Sequence, residues 1–221
     1  MKIGTDGVLL GAWTSISSEV NSILDIGTGT GIIALMLAQR SYAETVDAIE
    51  IDEDAYEQAV ENFENSPWGD RLFCYHAAFD EFVEEMQDEK YDLIMSNPPF
   101  FSNSAASEII TSREAARSQA SLPFEELIQG VSLLLSENGT FNIVIPLVEE
   151  ANVIAFASAN NLYPHKITHV KGTVNSKVKR CLIEFGFLQK EIEKDELVLE
   201  ESRHNYTPEY KKMVAPFYMK L

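Results

Sequence analysis

The sequence predicts an α/β fold with seven strands in a mostly parallel sheet and an antiparallel hairpin at one edge. Three observations lead there. Short apolar runs alternate with helical patterns through most of the chain. A glycine-rich turn, Gly27-Thr28-Gly29-Thr30-Gly31, joins the first apolar run to the first helical pattern. The last two apolar runs have only a short turn-rich segment between them and no room for a helix. Strands separated by helices require right-handed crossovers and hence parallel neighbours, whereas a short turn permits only an antiparallel pair.

The elements follow in order. Ser22–Ile26 reads as the first strand and Gly31–Arg40 as its helix. Thr45–Ile51 is a second strand, and Glu53–Asn65 an amphipathic helix with Ala55, Ala59, Val60 and Phe63 inward. Asn65-Ser66-Pro67 ends that helix. Leu72–His76, Asp80–Glu89 and Tyr91–Ser96 give strand, helix and strand. Phe124–Leu135 is a helix with Ser121 as cap and Pro123 at its start. Glu137-Asn138-Gly139 turns into the strand Thr140–Ile145, and Glu149–Asn160 is the next helix. The strands Lys166–Lys171 and Arg180–Leu188 form the hairpin. With no repeat and no linker-like stretch, residues 1–221 are expected to form a single domain.

Bulk properties exclude several classes. At 45% hydrophobic residues the chain is not disordered, and no apolar run approaches the roughly 18–20 residues of a membrane span. No charged-then-apolar leader opens it, so a cytoplasmic protein is expected. Cys74 and Cys181 sit in apolar runs and read as buried free thiols. The formal charge of −18 argues against a nonspecific grip on nucleic acid. It is unevenly spread. Residues 44–92 hold 17 acidic residues against two basic ones, while residues 161–190 hold six basic residues against Glu184 alone. A basic strip on an acidic protein suits a localised phosphate contact.

The chemistry begins at the glycine turn. Gly27, Gly29 and Gly31 let backbone approach a ligand, and the following helix offers free N–H groups. The spacing is G-x-G-x-G, with Ile32 where a dinucleotide fingerprint would have its third glycine, so that fingerprint is not met. Glu50 lies nineteen residues beyond Gly31, within the second strand, and is placed to accept from ribose hydroxyls; Asp52 is read as the cap of the next helix. Asn97-Pro98-Pro99-Phe100 ends the fourth strand. An exocyclic amine on an aromatic ring is a poor nucleophile because its lone pair is delocalised. The Asn97 side-chain oxygen and the Pro98 carbonyl can accept its two hydrogens and aim it, and Phe100 offers a ring face for stacking. Together, the two motifs suggest S-adenosylmethionine-dependent methylation of a planar amine. His76 reads as a strand-surface residue. No metal ligation is expected.

At these residues the chain resembles the class I amino-methyltransferases with an Asn-Pro-Pro-Tyr/Phe motif, which implies a Rossmann-like class I methyltransferase fold. Met1 to Trp13 and the stretch from Tyr206 through Tyr218 are similar to the corresponding segments of the bacterial valine-tRNA adenine-37 amino-methyltransferases. That resemblance covers nearly the whole chain. It implies a cytoplasmic enzyme that uses S-adenosylmethionine to make N(6)-methyladenine beside the anticodon, working as a monomer. It implies cofactor contacts from Asp25, Gly27, Gly29, Gly31, Glu50 and Ile51, with Thr5 and Asp6 over the methionine end. The family's usual acid after the third strand falls at Ala78, so backbone at Ala78 and Phe79, assisted by Asp80, is expected to serve the adenine. Relatives carry a short stretch before the position of Met1, so a truncated or re-assigned start, with weaker cofactor closure or RNA binding, is expected.

A tRNA substrate accounts for further residues. Arg113 and Arg117 sit four apart after the Asn97 loop, and Lys171, Lys177, Lys179 and Arg180 flank the hairpin turn. These six are the expected phosphate contacts. An adenine in a single-stranded loop costs little to extrude. The alternatives are methylation of a release-factor glutamine amide, methylation of another nucleobase amine in rRNA or DNA, and an inactive methyltransferase-fold binding module.

Overall fold

A computed structural model describes residues 4–99 and 122–219. Phe100, Arg113, Arg117 and Ser121 lie outside the described residues. The chain opens with helix α1 (Thr5–Trp13), then β1 (Ser22–Ile26), α2 (Ile32–Arg40), β2 (Thr45–Glu50), α3 (Glu53–Glu64), β3 (Leu72–His76), α4 (Phe79–Glu85) and β4 (Tyr91–Ser96). After residue 121 come α5 (Phe124–Leu134), β5 (Leu135–Pro146), α6 (Glu150–Ala159), β6 (Tyr163–Thr173), β7 (Val178–Gly186), β8 (Glu193–Ser202), β9 (Asn205–Tyr206) and α7 (Pro208–Val214). Among the described residues no helix is long and apolar enough to cross a membrane.

The strands form one sheet in the order β3-β2-β1-β4-β5-β7-β6-β8-β9. The first five pair in parallel, and β7 runs antiparallel to both β5 and β6. The central strands are buried on both faces, as parallel strands covered by helices must be. Alternate residues feed two cores. On one face Ile23, Val46, Leu93, Val144 and Leu182 pack with α1, α2 and α7. On the other, Leu24, Ile49, Ile94, Phe141 and Ile183 pack with α4, α5 and α6.

The expected antiparallel pair is there, but the sheet continues past it, so among the described residues it has nine strands rather than seven. Of the two additional strands, β8 runs parallel to β6 and β9 antiparallel to β8. The first half of β8 is exposed and acidic, without the apolar alternation that marks a strand. Pairing with β6 and the burial of Leu197 hold the strand, and cross-strand ion pairs flank its first half. Lys171 Nζ lies 2.7 Å from Glu196, and Lys166 Nζ lies 3.6 Å from Glu193 and 3.7 Å from Asp195. The other differences are also local. Glu137-Asn138-Gly139 is absorbed into a longer β5 as an irregularity, since Tyr91 pairs Leu135 while Leu93 pairs Thr140.

Helix α1 gave no amphipathic signal because seven of its nine residues are buried. A Cβ on Gly11 would meet Met36 Sδ and Cε at 3.0 Å, so glycine there lets α1 lie close on α2. Trp13 Nε1 donates to Thr168 Oγ1 at 2.8 Å, which ties α1 to β6, and Arg40 holds its far end through the carbonyls of Gly11 and Thr14. Helix α7 begins at Thr207, whose hydroxyl accepts from Tyr210 N and donates to Val198 O. Its Tyr210 and Val214 then close the α1 face.

Candidate active site

Strand order reverses between β1 and β4, and in open α/β sheets ligands bind beyond the carboxyl ends of strands at such a point. Three singled-out groups arrive there together. Asp25 is the penultimate residue of β1, Glu50 the last of β2, and Asn97 follows β4 directly. Ile26 pairs Ile49 on one side and Ser96 on the other, so the three strand ends are level. Ser96 Oγ donates to Ile26 O at 3.1 Å and fixes the base of the Asn97 loop against β1.

The glycine turn is built onto β2. Gly27 N and Thr28 N both donate to Ile49 O at 3.0 Å. Gly29 has φ +61° and sends its N–H to Glu50 Oε2 at 2.8 Å. Gly31 has φ +78°, and a Cβ there would stand 2.4 Å from the Phe63 ring, so any side chain is refused twice. Asn62 Nδ2 donates to Thr30 O at 2.8 Å and clamps the far side of the turn.

Glu50 is nearly buried and also accepts from Ile51 N at 2.9 Å and Asp52 N at 3.0 Å. Three backbone N–H groups therefore orient one carboxylate, whose remaining lone pairs suit hydroxyl donors. Asp52 caps α3 through Ala55 N at 2.9 Å, the role expected for it.

Asp25 is fully buried. Its Oδ2 accepts from Thr28 Oγ1 at 2.5 Å and from Ala34 N at 3.2 Å, while its Oδ1 has no partner among the described residues. Burial is the main reason its pKa rises to about 7; the Glu50 charge adds a little, and the two hydrogen bonds act against it. An orphaned carboxylate oxygen at this depth is suited to a ligand cation.

The raised value has a measurable consequence. The folded state keeps the Asp25 proton to higher pH than the unfolded chain, whose value is 3.8. Between those values the folded state binds more protons, so this group's contribution to stability falls as pH rises from about 4 to about 7. Asp25→Asn should flatten that part of the stability profile. Thermal unfolding of both proteins from pH 5 to 8 checks it, and parallel profiles would refute the assignment.

The remaining residues divide. Pro98 is buried and Asn97 half-buried, and a Cβ on Gly7 of α1 would lie 3.5 Å from Asn97 Nδ2. The start of α1 thus rests against the Asn97 amide, with Thr5 exposed beside it. Asp6 has an intramolecular partner: Arg180 Nε donates to Asp6 Oδ2 at 2.9 Å. Ile51 is exposed at the same edge. The Phe79 side chain turns into the core against Gly130, which leaves only its backbone facing outward, and Asp80 is exposed in the first turn of α4.

The hairpin turn between β6 and β7 hangs over this edge too, because Arg180 at the start of β7 pairs Pro146 at the end of β5. Lys177 and Lys179 are exposed on it, whereas Lys171 is engaged with Glu196 and Arg180 with Asp6.

Sequence reasoning placed His76 on the strand surface without a role at the site. It pairs with Glu50 across β2 and β3, its Nε2 lies 3.1 Å from Ile51 O, and its ring stacks on Tyr56 with centroids 5.1 Å apart. It buttresses the loop that carries Ile51. The only available signal was its position at a strand end level with Glu50. Among the described residues no group of three or more His, Cys, Asp or Glu is placed to hold a metal ion.

Residues 8–146 match the family model described as the methyltransferase small domain. Relatives named tRNA1(Val) (adenine(37)-N6)-methyltransferase match the chain from end to end. The protein from Christiangramia forsetii is 64% identical over 100% of this chain and 92% of its own, and that from Flavobacterium johnsoniae is 59% identical over 100% and 94%. Among solved structures, a predicted O-methyltransferase from Agrobacterium tumefaciens superposes with a TM-score of 0.74 at 19% identity, covering 96% of each chain. At that identity the likeness concerns the fold alone.

Proposed function

The chain belongs to the tRNA1(Val) (adenine(37)-N6)-methyltransferase family, and from that premise we propose that it transfers a methyl group from S-adenosylmethionine to the exocyclic amine of adenine 37 in a valine tRNA. It works as one methyltransferase domain, as a monomer, in the cytoplasm. The observation that carries the reading is the convergence of Asp25, Glu50 and Asn97 on one edge of the sheet.

The donor set fits the cofactor. The orphaned Asp25 Oδ1 would take its ammonium group, and Glu50, held by three N–H groups, would accept from the ribose hydroxyls. Ile51 and the start of α4 at Phe79 and Asp80 would flank the adenine, with the glycine turn beneath and Thr5 and Asp6 near the methionine end. The bound cofactor supplies an electrophilic methyl group on a sulfonium. Every other contribution comes from the chain. The Asn97 side-chain oxygen and the Pro98 carbonyl accept the two amine hydrogens, hold the nitrogen's lone pair toward the methyl group and spread the positive charge that develops on nitrogen. Phe100 would stack on the target base. Because an ammonium favours ionised Asp25, cofactor affinity is expected to rise with pH up to and through about 7.

For the tRNA, Lys177 and Lys179 on the overhanging hairpin are the free-standing candidates for phosphate contacts, with Arg113 and Arg117 following the Asn97 loop. Lys171 and Arg180 would have to exchange their carboxylate partners for phosphate. Lys177→Ala combined with Lys179→Ala should weaken tRNA binding and flatten its salt dependence by about 0.7–0.9 per lost contact, with cofactor affinity unchanged. Coincident salt curves for the two proteins would reduce the hairpin to a solvated turn. Labelled S-adenosylmethionine offered with separate pools of tRNA, rRNA, DNA and release factor tests the whole reading: label is expected in valine tRNA, and label confined to another pool would overturn it.

A further inference from the structure

The opposite edge of the sheet carries a surface that methyl transfer leaves unused. Around the amino ends of β2 and β4, far from Asn97, a pocket of about 240 Å³ opens beside the outermost strand β3. Its walls are Phe73, Tyr75, Tyr91 and Met86, and its acids are Asp47 and Glu89. Phe73 and Tyr75 are 45% and 38% exposed, unusual for aromatic rings on a sheet. Asp47 is the neighbour of Phe73 in register, is only 7% exposed, and accepts from Tyr91 Oη at 2.7 Å. Burial raises its pKa, the Tyr91 hydrogen bond opposes the rise, and Glu89 adds to it. The one lining cation, Lys90, is turned away and donates to Leu133 O. A buried carboxylate in a pocket lined by three aromatic rings is the chemistry that accepts an ammonium or guanidinium group.

Two further features select the kind of partner. Among the described residues the outer edge of β3 is unpaired, so it presents free backbone donors and acceptors. The segment 44–92, which supplies every lining residue except Ser22, holds 17 acidic residues against two basic ones, a charge that attracts basic chains. We propose that this surface docks a basic, extended segment of a partner protein, which adds a strand to β3 and inserts one Lys or Arg side chain against Asp47 and the rings of Tyr75 and Tyr91. The inference is independent of the proposed reaction, whose groups lie at the other edge.

The test is binding of a fluorescein-labelled peptide, Arg-Val-Arg-Val-Arg with blocked ends, to the full chain at physiological salt. Phe73→Ala, an exposed position that leaves net charge unchanged, and Asp47→Asn should each weaken binding about tenfold. Glu57→Gln, on the outer face of α3 and equal in charge change to Asp47→Asn, should weaken it less than about threefold, the worth of one exposed charge. tRNA methylation should be the same in wild type and Phe73→Ala. Phe73→Ala binding as tightly as wild type, with Asp47→Asn and Glu57→Gln weakened equally, would reduce the effect to net charge and overturn the proposal. So would the absence of binding to wild type. Spermidine binding as tightly as the peptide would make the pocket a polyamine site and overturn docking.

Discussion

Replacing Asn97 with Ala is expected to slow methyl transfer by about 100-fold or more, the penalty for misplacing a reacting group, while cofactor affinity stays near that of the natural sequence. The split follows from position. Asn97 lies just beyond β4, with its loop anchored by the Ser96 hydroxyl on Ile26 O, and the groups proposed to hold the cofactor, Asp25 and Glu50, belong to β1 and β2. On the proposed mechanism its removal takes away one of two acceptors that aim the amine, an interaction felt when the nitrogen attacks and not when the cofactor binds. Calorimetry for the cofactor and single-turnover methylation of tRNA measure the two terms separately. A variant that turns over at the natural rate, or one that simply loses the cofactor, would show that Asn97 does not hold the amine.

Glu50→Ala should act the other way, on cofactor affinity first. The carboxylate gathers the N–H groups of Gly29, Ile51 and Asp52, so its loss removes a ribose acceptor and frees the glycine turn together. A charge-assisted hydrogen bond contributes about 1.5–3 kcal/mol, so affinity is expected to fall roughly 10- to 150-fold. Gly29→Val should be more severe. At φ +61° a β-branched residue is strained by about 1–2 kcal/mol, in the turn proposed to lie against the cofactor. Thermal unfolding run beside the calorimetry separates a loosened turn from a lost contact. Unchanged cofactor affinity in both variants would remove the glycine turn and Glu50 from the binding site.

The amino-acid sequence by itself determined the order of strands and helices from Ser22 to the β6–β7 hairpin, the parallel sheet, and the groups that converge at its switch point. These are local signals: apolar runs of strand length, glycines that must adopt positive φ, an acid ending the second strand, and a rigid Asn-Pro-Pro turn. Each is encoded within a few residues, because the backbone conformation it requires is itself local. The family resemblance added the identity of the reaction.

Only the tertiary structure decided the rest. Helix α1 is buried on all sides and so has no periodic pattern to read, and β8 pairs with β6, setting Glu193, Asp195 and Glu196 against Lys166 and Lys171, partners more than twenty residues away. Asp6 and Arg180, 174 residues apart, meet because β7 starts at the same edge where α1 begins. His76 acquires its contact with Ile51 from sheet register. Whether a lysine stands free or is already paired depends on which strand folds beside it. A one-dimensional pattern cannot state that, because it is fixed by long-range pairing and by the burial that accompanies it.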